Sequence, residues 1–139
     1  MKNPQRNAER WLRQAEYDLA QAERALREDV FSYAAFFAEQ AAQKGLKAVL
    51  LSRGRRLITT HSVGELAKQA AALEPRFGAV IEAASRLDRH YLTSRYPDAL
   101  PEPAIPAEAY LRQDAEEAVA SAVSILEAAR STVIVDNTL

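Results

Sequence analysis

One histidine and the arginines before it carry most of the chemistry that this sequence offers. Arg55 and Arg56 follow Gly54, and four residues separate Arg56 from His61. A guanidinium group binds a phosphate through paired hydrogen bonds, and an imidazole accepts or donates protons near neutral pH. The pattern predicts either a phosphate-binding site or cleavage of a phosphodiester, with His61 as general acid or base and Arg56 stabilising the scissile phosphate. The alternative is that His61 only packs against the start of the next helix.

The helix that follows His61 supplies backbone amides. Ser62 and Glu65 have the spacing of a capping box, in which each side chain accepts a hydrogen bond from a backbone amide. The other amides at this positive end of the helix dipole suit a bound phosphate. We therefore expect a phosphate at Ser62, with Arg55 or Arg56 folded over it.

A proline-containing loop supplies the third group of candidates. Arg95, Tyr96 and Asp98 surround Pro97, and Tyr91 precedes Arg95 by one helical turn. One interpretation is a nucleotide-binding loop, with Arg95 on a phosphate, Tyr96 against a base and Tyr91 lining the same pocket. The other is that Arg95 and Asp98 form an ion pair that holds the loop, whose backbone groups need local partners.

Two further side chains stand on predicted helices. Lys47 lies on an otherwise apolar helix and either reaches the ligand or extends to solvent. His90 is expected at a helix C-terminus, where a cation offsets the dipole. The two histidines have no paired carboxylates at ligand spacing, so we expect no metal site, and no motif indicates a cofactor.

Composition places the chain among ordinary globular domains. Its 139 residues carry a net charge of −1 and include no cysteine, which excludes a disulfide framework, a thiolate zinc site and a thiol nucleophile. The balanced charge favours a solvated surface over an extended nucleic-acid face, and Arg53, Arg55 and Arg56 are the only compact basic cluster in the sequence. The N-terminal segment is charged rather than a signal core, and no stretch approaches the ~18 apolar residues of a membrane span. We therefore expect a cytoplasmic protein without a membrane partner.

Apolar spacing predicts five helices and no strand. They cover residues 4–27 with Asn3 as N-cap, 30–53 ended by Gly54, 62–74, 76–92, and a last helix opened by Pro106. Four prolines make residues 94–105 a non-helical crossing. The sequence thus predicts an all-α, up-and-down bundle with a four-helix core, in one domain over residues 1–132 with a frayed tail over 133–139.

The second helix is apolar around much of its circumference, which indicates a central position or a second interface. Four aromatic side chains near its start favour a core position over a dimer contact, because aromatic stripes at helical spacing usually face the core. They are Phe31, Tyr33, Phe36 and Phe37.

Four motifs in this order resemble the HEPN family, in the subgroup with His-Ser-Val and Arg-Tyr-Pro-Asp motifs. They are Trp11, Leu12, Ala15, Asp18 and Leu19 on the first helix, FAEQAAQKGLKA at 37–48, His61 to Val63, and the loop from Tyr91 to Asp98. The resemblance implies a short helical bundle, usually a homodimer, encoded beside or fused to a minimal nucleotidyltransferase. Its ribonuclease branch uses an arginine separated from a histidine by four to six residues, with pairs from two protomers converging at the dimer seam. Arg56 or Arg55 with His61 matches that motif.

Three functional hypotheses follow. The leading one is a module that binds a nucleotide or RNA phosphate and is the toxin-like partner of a minimal nucleotidyltransferase. The second is a metal-independent ribonuclease that uses Arg56 and His61. The third is a non-catalytic structural adaptor, in which the motif residues only stabilise the fold.

Overall fold

Helices account for the fold of the part of the chain that the computed structural model describes, residues 3–135. That part contains α-helices and short 3₁₀ helices and no β-strand, which confirms the all-α prediction. The α-helices are α1 Pro4–Arg27, α2 Phe31–Ser52, α3 Val63–Leu73, α4 Ile81–Leu87, α5 His90–Thr93, α6 Pro106–Ala109 and α7 Arg112–Val135. The 3₁₀ helices are Pro75–Val80 and Pro97–Ala99. Within the described residues, no helix has both the length and the apolar character needed to cross a bilayer.

The two ends of the α1–α2 hairpin follow the predicted signals. The side chain of Asn3 accepts hydrogen bonds from the backbone amides of Gln5 at 2.9 Å and Arg6 at 3.2 Å, so it is the N-cap of α1. Gly54 adopts a φ of 88°, a conformation open to glycine, and the chain leaves α2 there. Both predictions are confirmed.

Helix α2 is the centre of the bundle, because it packs against α1, α3 and α7. Its approach to α7 is close: a Cβ atom added to Gly45 would lie 2.6 Å from Leu126 Cδ1. The predicted central position is confirmed. The core position predicted for the aromatic residues is wrong for Tyr33, which is 53% exposed. Phe31 and Phe37 are half-buried and pack against the core, and Phe36 is half-buried.

The predicted fourth helix is interrupted twice. It begins as the 3₁₀ helix that Pro75 opens, and it is broken again between α4 and α5. At the second break Asp88 and Arg89 keep right-handed helical dihedral angles. Their hydrogen bonds shorten to the three-residue pattern, in which Asp88 N–H donates to the Ser85 carbonyl. The helical character of this segment was predicted correctly and its continuity was not.

The predicted fifth helix also has a break that the sequence analysis missed. Pro106 opens only the one-turn helix α6, because Tyr110 is extended and α7 begins at Arg112. The prediction of a frayed tail over residues 133–139 is wrong at its start, because α7 continues to Val135 and Val133 is fully buried. Residues 136–139 of that predicted tail lie outside the described residues.

Candidate ligand-binding groove

Two adjoining hollows lie between α1 and α2, and cationic side chains line both of them. The Tyr17 hollow, of about 550 Å³, is lined by Arg10, Trp11, Arg13, Gln14, Tyr17 and Lys44. The Arg56 hollow, of about 400 Å³, is lined by Asn7, Arg10, Trp11, Lys47, Leu51, Arg56 and Ile58. We call the two together the basic groove. Among the described residues, no acidic side chain lines it.

The antiparallel α1–α2 hairpin assembles this groove. On α1 the lining residues recur every three or four positions, from Asn7 through Arg10 and Gln14 to Tyr17, which places them along one side of the helix. Lys44 and Lys47 are spaced in the same way on α2. Two cation pairs that lie about thirty positions apart in the sequence therefore face one another across the hairpin.

The cations of the groove differ in their partners. Lys44 Nζ lies 2.6 Å from Asp18 Oδ2, and Asp18 also accepts a hydrogen bond from Gln14 Nε2 at 3.1 Å. Arg10, Arg13 and Arg56 form no ion pair with any residue in the described range. Most of the positive charge at the groove is therefore not neutralised by the protein itself.

Lys47 is held in the wall of the Arg56 hollow. Its Nζ donates to Gln43 Oε1 at 3.2 Å and lies 5.4 Å from the centroid of the Trp11 ring. Burial lowers the pKa of Lys47 below its ordinary value, and the carboxylate of Glu39 opposes that shift. The sequence analysis named Lys47 as a candidate, and the structure places its ammonium in the groove wall.

Behind Gln43 lies a buried carboxylate that the sequence analysis did not select. Glu39 is fully buried, and it accepts hydrogen bonds from Gln43 Nε2 at 3.0 Å and Gln40 Nε2 at 2.8 Å. Burial raises the pKa of Glu39; the charge of Asp88 raises it further and that of Arg95 opposes it. The sequence does contain a signal for this residue, because Glu39 lies one helical turn after Ala35 and interrupts a run of small apolar residues.

A second group of candidate residues assembles on another part of the surface. The exposed His61 ring stacks on Tyr91, with centroids 6.0 Å apart and planes at 9°. The Arg95 guanidinium lies over the rings of Phe36 at 4.3 Å, Tyr96 at 4.8 Å and Tyr91 at 5.1 Å. We call these five residues the His61–Arg95 cluster. It brings together four of the residues predicted for a binding site.

The loop contact predicted for Arg95 is not formed. Its guanidinium donates to the Tyr91 carbonyl, at 2.7 Å from Nη2 and 3.1 Å from Nε. Asp98 is exposed, and no ion pair joins it to Arg95 or to any other described residue. The loop is held by a helix-end carbonyl and by aromatic rings, so the ion-pair interpretation is wrong.

The amides at the start of α3 are not free for a phosphate. Asp88 accepts hydrogen bonds from Ser62 Oγ at 2.7 Å, from the Val63 amide at 2.5 Å and from the Gly64 amide at 3.2 Å. The Ser62 hydroxyl accepts from the Glu65 amide at 3.1 Å, which is one half of the predicted capping box. The other half is not formed, because the Ser62 amide donates to Thr60 Oγ1 at 3.1 Å instead of to Glu65. The expected phosphate site at Ser62 is therefore wrong, because a side chain of this chain already satisfies those amides.

The predicted candidates thus separate into distinct places within one chain. Lys47 and Arg56 line the basic groove, and His61 belongs to the His61–Arg95 cluster. Arg55 is exposed and lines neither. Within the described residues, neither Arg55 nor Arg56 hydrogen-bonds to Ser62. In the described range no three His, Asp or Glu side chains lie close enough to hold a metal ion.

His90 is a structural residue rather than a helix-dipole partner. It is 4% exposed, and its Nδ1 lies 2.7 Å from the hydroxyl of Tyr110, which also contacts Thr93 Oγ1 at 2.8 Å. Burial lowers the pKa of His90 to about 4, so the ring is neutral at pH 7. These bonds hold Tyr110, the extended residue that follows α6, against α5.

Comparison with known proteins agrees with this architecture. The sequence model of the HEPN domain matches residues 8–132. The chain belongs to the HEPN domain family. Its structure is similar to that of TT1696 from Thermus thermophilus, with 36% sequence identity and a TM-score of 0.78 over 90% of this HEPN domain and 97% of that chain.

A second solved structure is described as ST0689, an archaeal HEPN homologue. It is 32% identical to this HEPN domain, with a TM-score of 0.75 over 96% of this chain and 99% of that one. Comparison with curated proteins gave no significant match.

Proposed function

We propose that this HEPN domain binds a nucleotide or RNA through phosphate groups in the basic groove and acts as the partner of a minimal nucleotidyltransferase. The observation that carries the binding proposal is the charge of the groove. Five cationic side chains and no acidic one line it, in a chain whose net charge is −1. Such an asymmetric distribution concentrates positive potential where an anion docks.

Binding to labelled RNA and to nucleotides tests the proposal directly. Fluorescence anisotropy at about 50 mM and about 200 mM salt is expected to show affinity that falls with salt, because phosphate contacts release counterions. Arg10→Ala and Arg56→Ala are each expected to weaken binding about fivefold or more. Arg86→Ala is the matched control, since this exposed arginine pairs with Glu82 on α4 and lines no part of the groove. Absence of binding to every probe at the lower salt contradicts the proposal.

The nucleotidyltransferase partner and the homodimer rest on the family resemblance rather than on a contact in this structure. Co-expression with a nucleotidyltransferase encoded beside this gene is expected to give a complex that survives gel filtration. Light scattering of the HEPN domain alone is expected to give the mass of a dimer. A monomeric mass and no co-purification contradict these two parts of the proposal.

A ribonuclease activity is the second candidate. It is favoured by His61, whose exposed ring nitrogens form no hydrogen bond with any described residue and are accessible for proton transfer. Because Arg56 lines the groove while His61 stacks on Tyr91, we infer that the reaction would join His61 of one copy to Arg56 of another. RNA cleavage that is equal for the wild type, His61→Ala and Arg56→Ala contradicts this hypothesis.

A structural adaptor is the third candidate, and the contacts of Arg95 with three aromatic rings support it. It predicts a large loss of thermal stability in Arg95→Ala without any ligand. The exposed Asp98 offers no such contact, so Asp98→Ala is expected to keep the stability of the wild type.

A further inference from the structure

We propose that the basic groove binds single-stranded nucleic acid, with successive phosphates in its two hollows and a base stacked on Tyr17, rather than a free mononucleotide. This inference rests on the proposed function and narrows it to one class of ligand. Three features of the groove support it: the division of the cations between the hollows, the length of the groove and the exposure of Tyr17.

The cations are divided between the two hollows. Arg13 and Lys44 belong to the Tyr17 hollow, and Lys47 and Arg56 belong to the Arg56 hollow. Arg10 is the only one of the five cations that lines both hollows. A single phosphate monoester would meet one of these sets and leave the other without a counter-charge. A chain of phosphodiesters places anions in both.

The length of the groove also fits a chain of phosphates. From Asn7 to Tyr17 it follows ten residues of α1, which corresponds to about 15 Å along the helix axis. The α2 side runs in parallel with it, from Leu51 past Lys47 to Lys44. The lining therefore forms a track along the hairpin instead of a closed pocket around one group.

Tyr17 supplies the surface for a base. It is 61% exposed at the end of the Tyr17 hollow, and no aromatic ring among the described residues contacts it. Trp11 is less suitable, because the ammonium of Lys47 already lies over its ring. Stacking on an aromatic side chain requires an unpaired base and tolerates every base type, so single strands of mixed sequence are the expected ligand.

The groove is organised before a ligand arrives. Lys47 is oriented by Gln43, and Gln43 is oriented by the buried Glu39, through hydrogen bonds of 3.2 and 3.0 Å. A side chain that is already fixed loses little conformational entropy on binding. Lys47 is thus positioned to contact a phosphate in the Arg56 hollow.

A length series tests the inference. The probes are adenosine monophosphate, a dinucleotide with a 5′ phosphate, and single-stranded tetramer and octamer RNAs, with DNA tetramers and an RNA duplex beside them. The tetramer is expected to bind about tenfold more tightly than the monophosphate, because it adds phosphate contacts and a stacked base. RNA and DNA tetramers are expected to bind within about threefold of one another, since phosphates and base faces are common to both. The duplex is expected to bind more weakly than a single strand of equal length.

Substitutions at Tyr17 test the stacking step separately. Tyr17→Ala is expected to weaken tetramer binding about fivefold or more, whereas Tyr17→Phe keeps the ring and the affinity. Tyr33→Ala is the matched control, because Tyr33 is exposed to a similar degree and lies outside the groove.

The failures of the inference and of the proposed function are distinguishable. If the monophosphate binds as tightly as the tetramer, the inference is overturned and phosphate binding remains. If the duplex binds as tightly as the single strand, the consequence is the same. Equal affinity of Tyr17→Ala and the wild type for the tetramer overturns the stacking of a base. Absence of binding to all probes overturns the proposed function itself.

Discussion

Lys44 donates a hydrogen bond to Asp18 at 2.6 Å, and this ion pair joins α1 to α2 at the wall of the basic groove. Asp18 is 9% exposed, so the pair is shielded from solvent more than the surface ion pairs of this protein. It both fastens the hairpin and reduces the charge that Lys44 presents to a ligand.

Asp18→Asn is therefore expected to change stability and binding in opposite directions. The free energy of unfolding should fall by about 1–3 kcal/mol, because one partner of a partly buried pair is lost. Binding of RNA should tighten about twofold to threefold, because Lys44 then keeps its full charge for phosphate. Urea unfolding and anisotropy measure the two effects. As a control, Asp29→Asn removes an exposed pair with Arg112 and should cost less than about 1 kcal/mol. Weaker RNA binding by Asp18→Asn would contradict the assignment of Lys44 to the groove.

Asp88→Ala is expected to destabilise the fold by about 2 kcal/mol, because three donors at the start of α3 lose their acceptor. Urea unfolding measures the loss, and hydrogen exchange of the Val63 amide should become faster. Asp98→Ala removes an exposed carboxylate and should stay within about 0.5 kcal/mol of the wild type. Equal stability of the two variants would show that the cap of α3 does not depend on Asp88.

His90 predicts a pH dependence of unfolding. Its pKa is about 4 in the folded protein against 6.5 ordinarily, so below pH 6.5 the unfolded chain binds a proton that the folded chain does not. The contribution of His90 to stability is therefore present at pH 7 and is lost as the pH falls from 6.5 towards 4, by about 3 kcal/mol. His90→Asn keeps a hydrogen-bonding group near Tyr110 and should remove this part of the slope.

The control for this measurement is His61→Asn. The ring of His61 is exposed, so this substitution removes a histidine without disturbing the hydrogen bond between His90 and Tyr110. If urea unfolding of His90→Asn follows the wild-type slope between pH 7 and pH 4.5, then His90 does not stay neutral in the fold.

Glu39 is expected to change the stability of the fold with pH in the opposite direction to His90. Its pKa is raised above the ordinary 4.5 by burial, so the folded chain holds a proton that the unfolded chain has already lost. Its contribution to stability therefore falls as the pH rises from 4.5 through the folded pKa. Glu39→Gln does not titrate, so its unfolding free energy relative to the wild type should increase between pH 4.5 and pH 7. The exposed Glu82→Gln is the control, and parallel curves for Glu39→Gln and the wild type would contradict the burial argument.

Gly64→Ala tests the packing of α3 on α4. A Cβ atom at Gly64 would lie 2.6 Å from Ser85 Oγ and 3.1 Å from the Ser85 Cα, so the backbone of one helix must move. A loss of about 1–3 kcal/mol is expected in urea unfolding. Gly78→Ala is the control, because nothing lies within 4 Å of the added atom there. Equal effects at the two glycines would show that the contact between α3 and α4 is loose.

Much of the fold follows from local signals. The Asn3 cap, the Gly54 stop and the apolar spacing of the first three helices each act within a few residues, and the structure confirms them. The broken fourth and fifth helices depend on contacts between distant residues. Tyr110 is held by His90, twenty positions earlier, and no local pattern encodes that partnership.

The difference between local signals and contacts between distant residues also applies to the basic groove. Lys47 was predicted because it is a cation on an apolar helix, and Arg56 because of its spacing from His61. Arg10 and Arg13 read as solvated residues of an amphipathic helix, and only the pairing of α1 with α2 brings them opposite Lys44 and Lys47. The only compact basic cluster of the sequence is thus not the main basic feature of the surface.

Asp88 has a consequence for experiments with dissolved anions. As a tethered acceptor it has an effective concentration at the start of α3 in the millimolar range or above, whatever the composition of the buffer. Inorganic phosphate or sulfate added to a binding assay therefore competes poorly at that helix end. Inhibition by these salts therefore acts through ionic screening and at exposed cations elsewhere, and chloride at equal ionic strength separates the two effects.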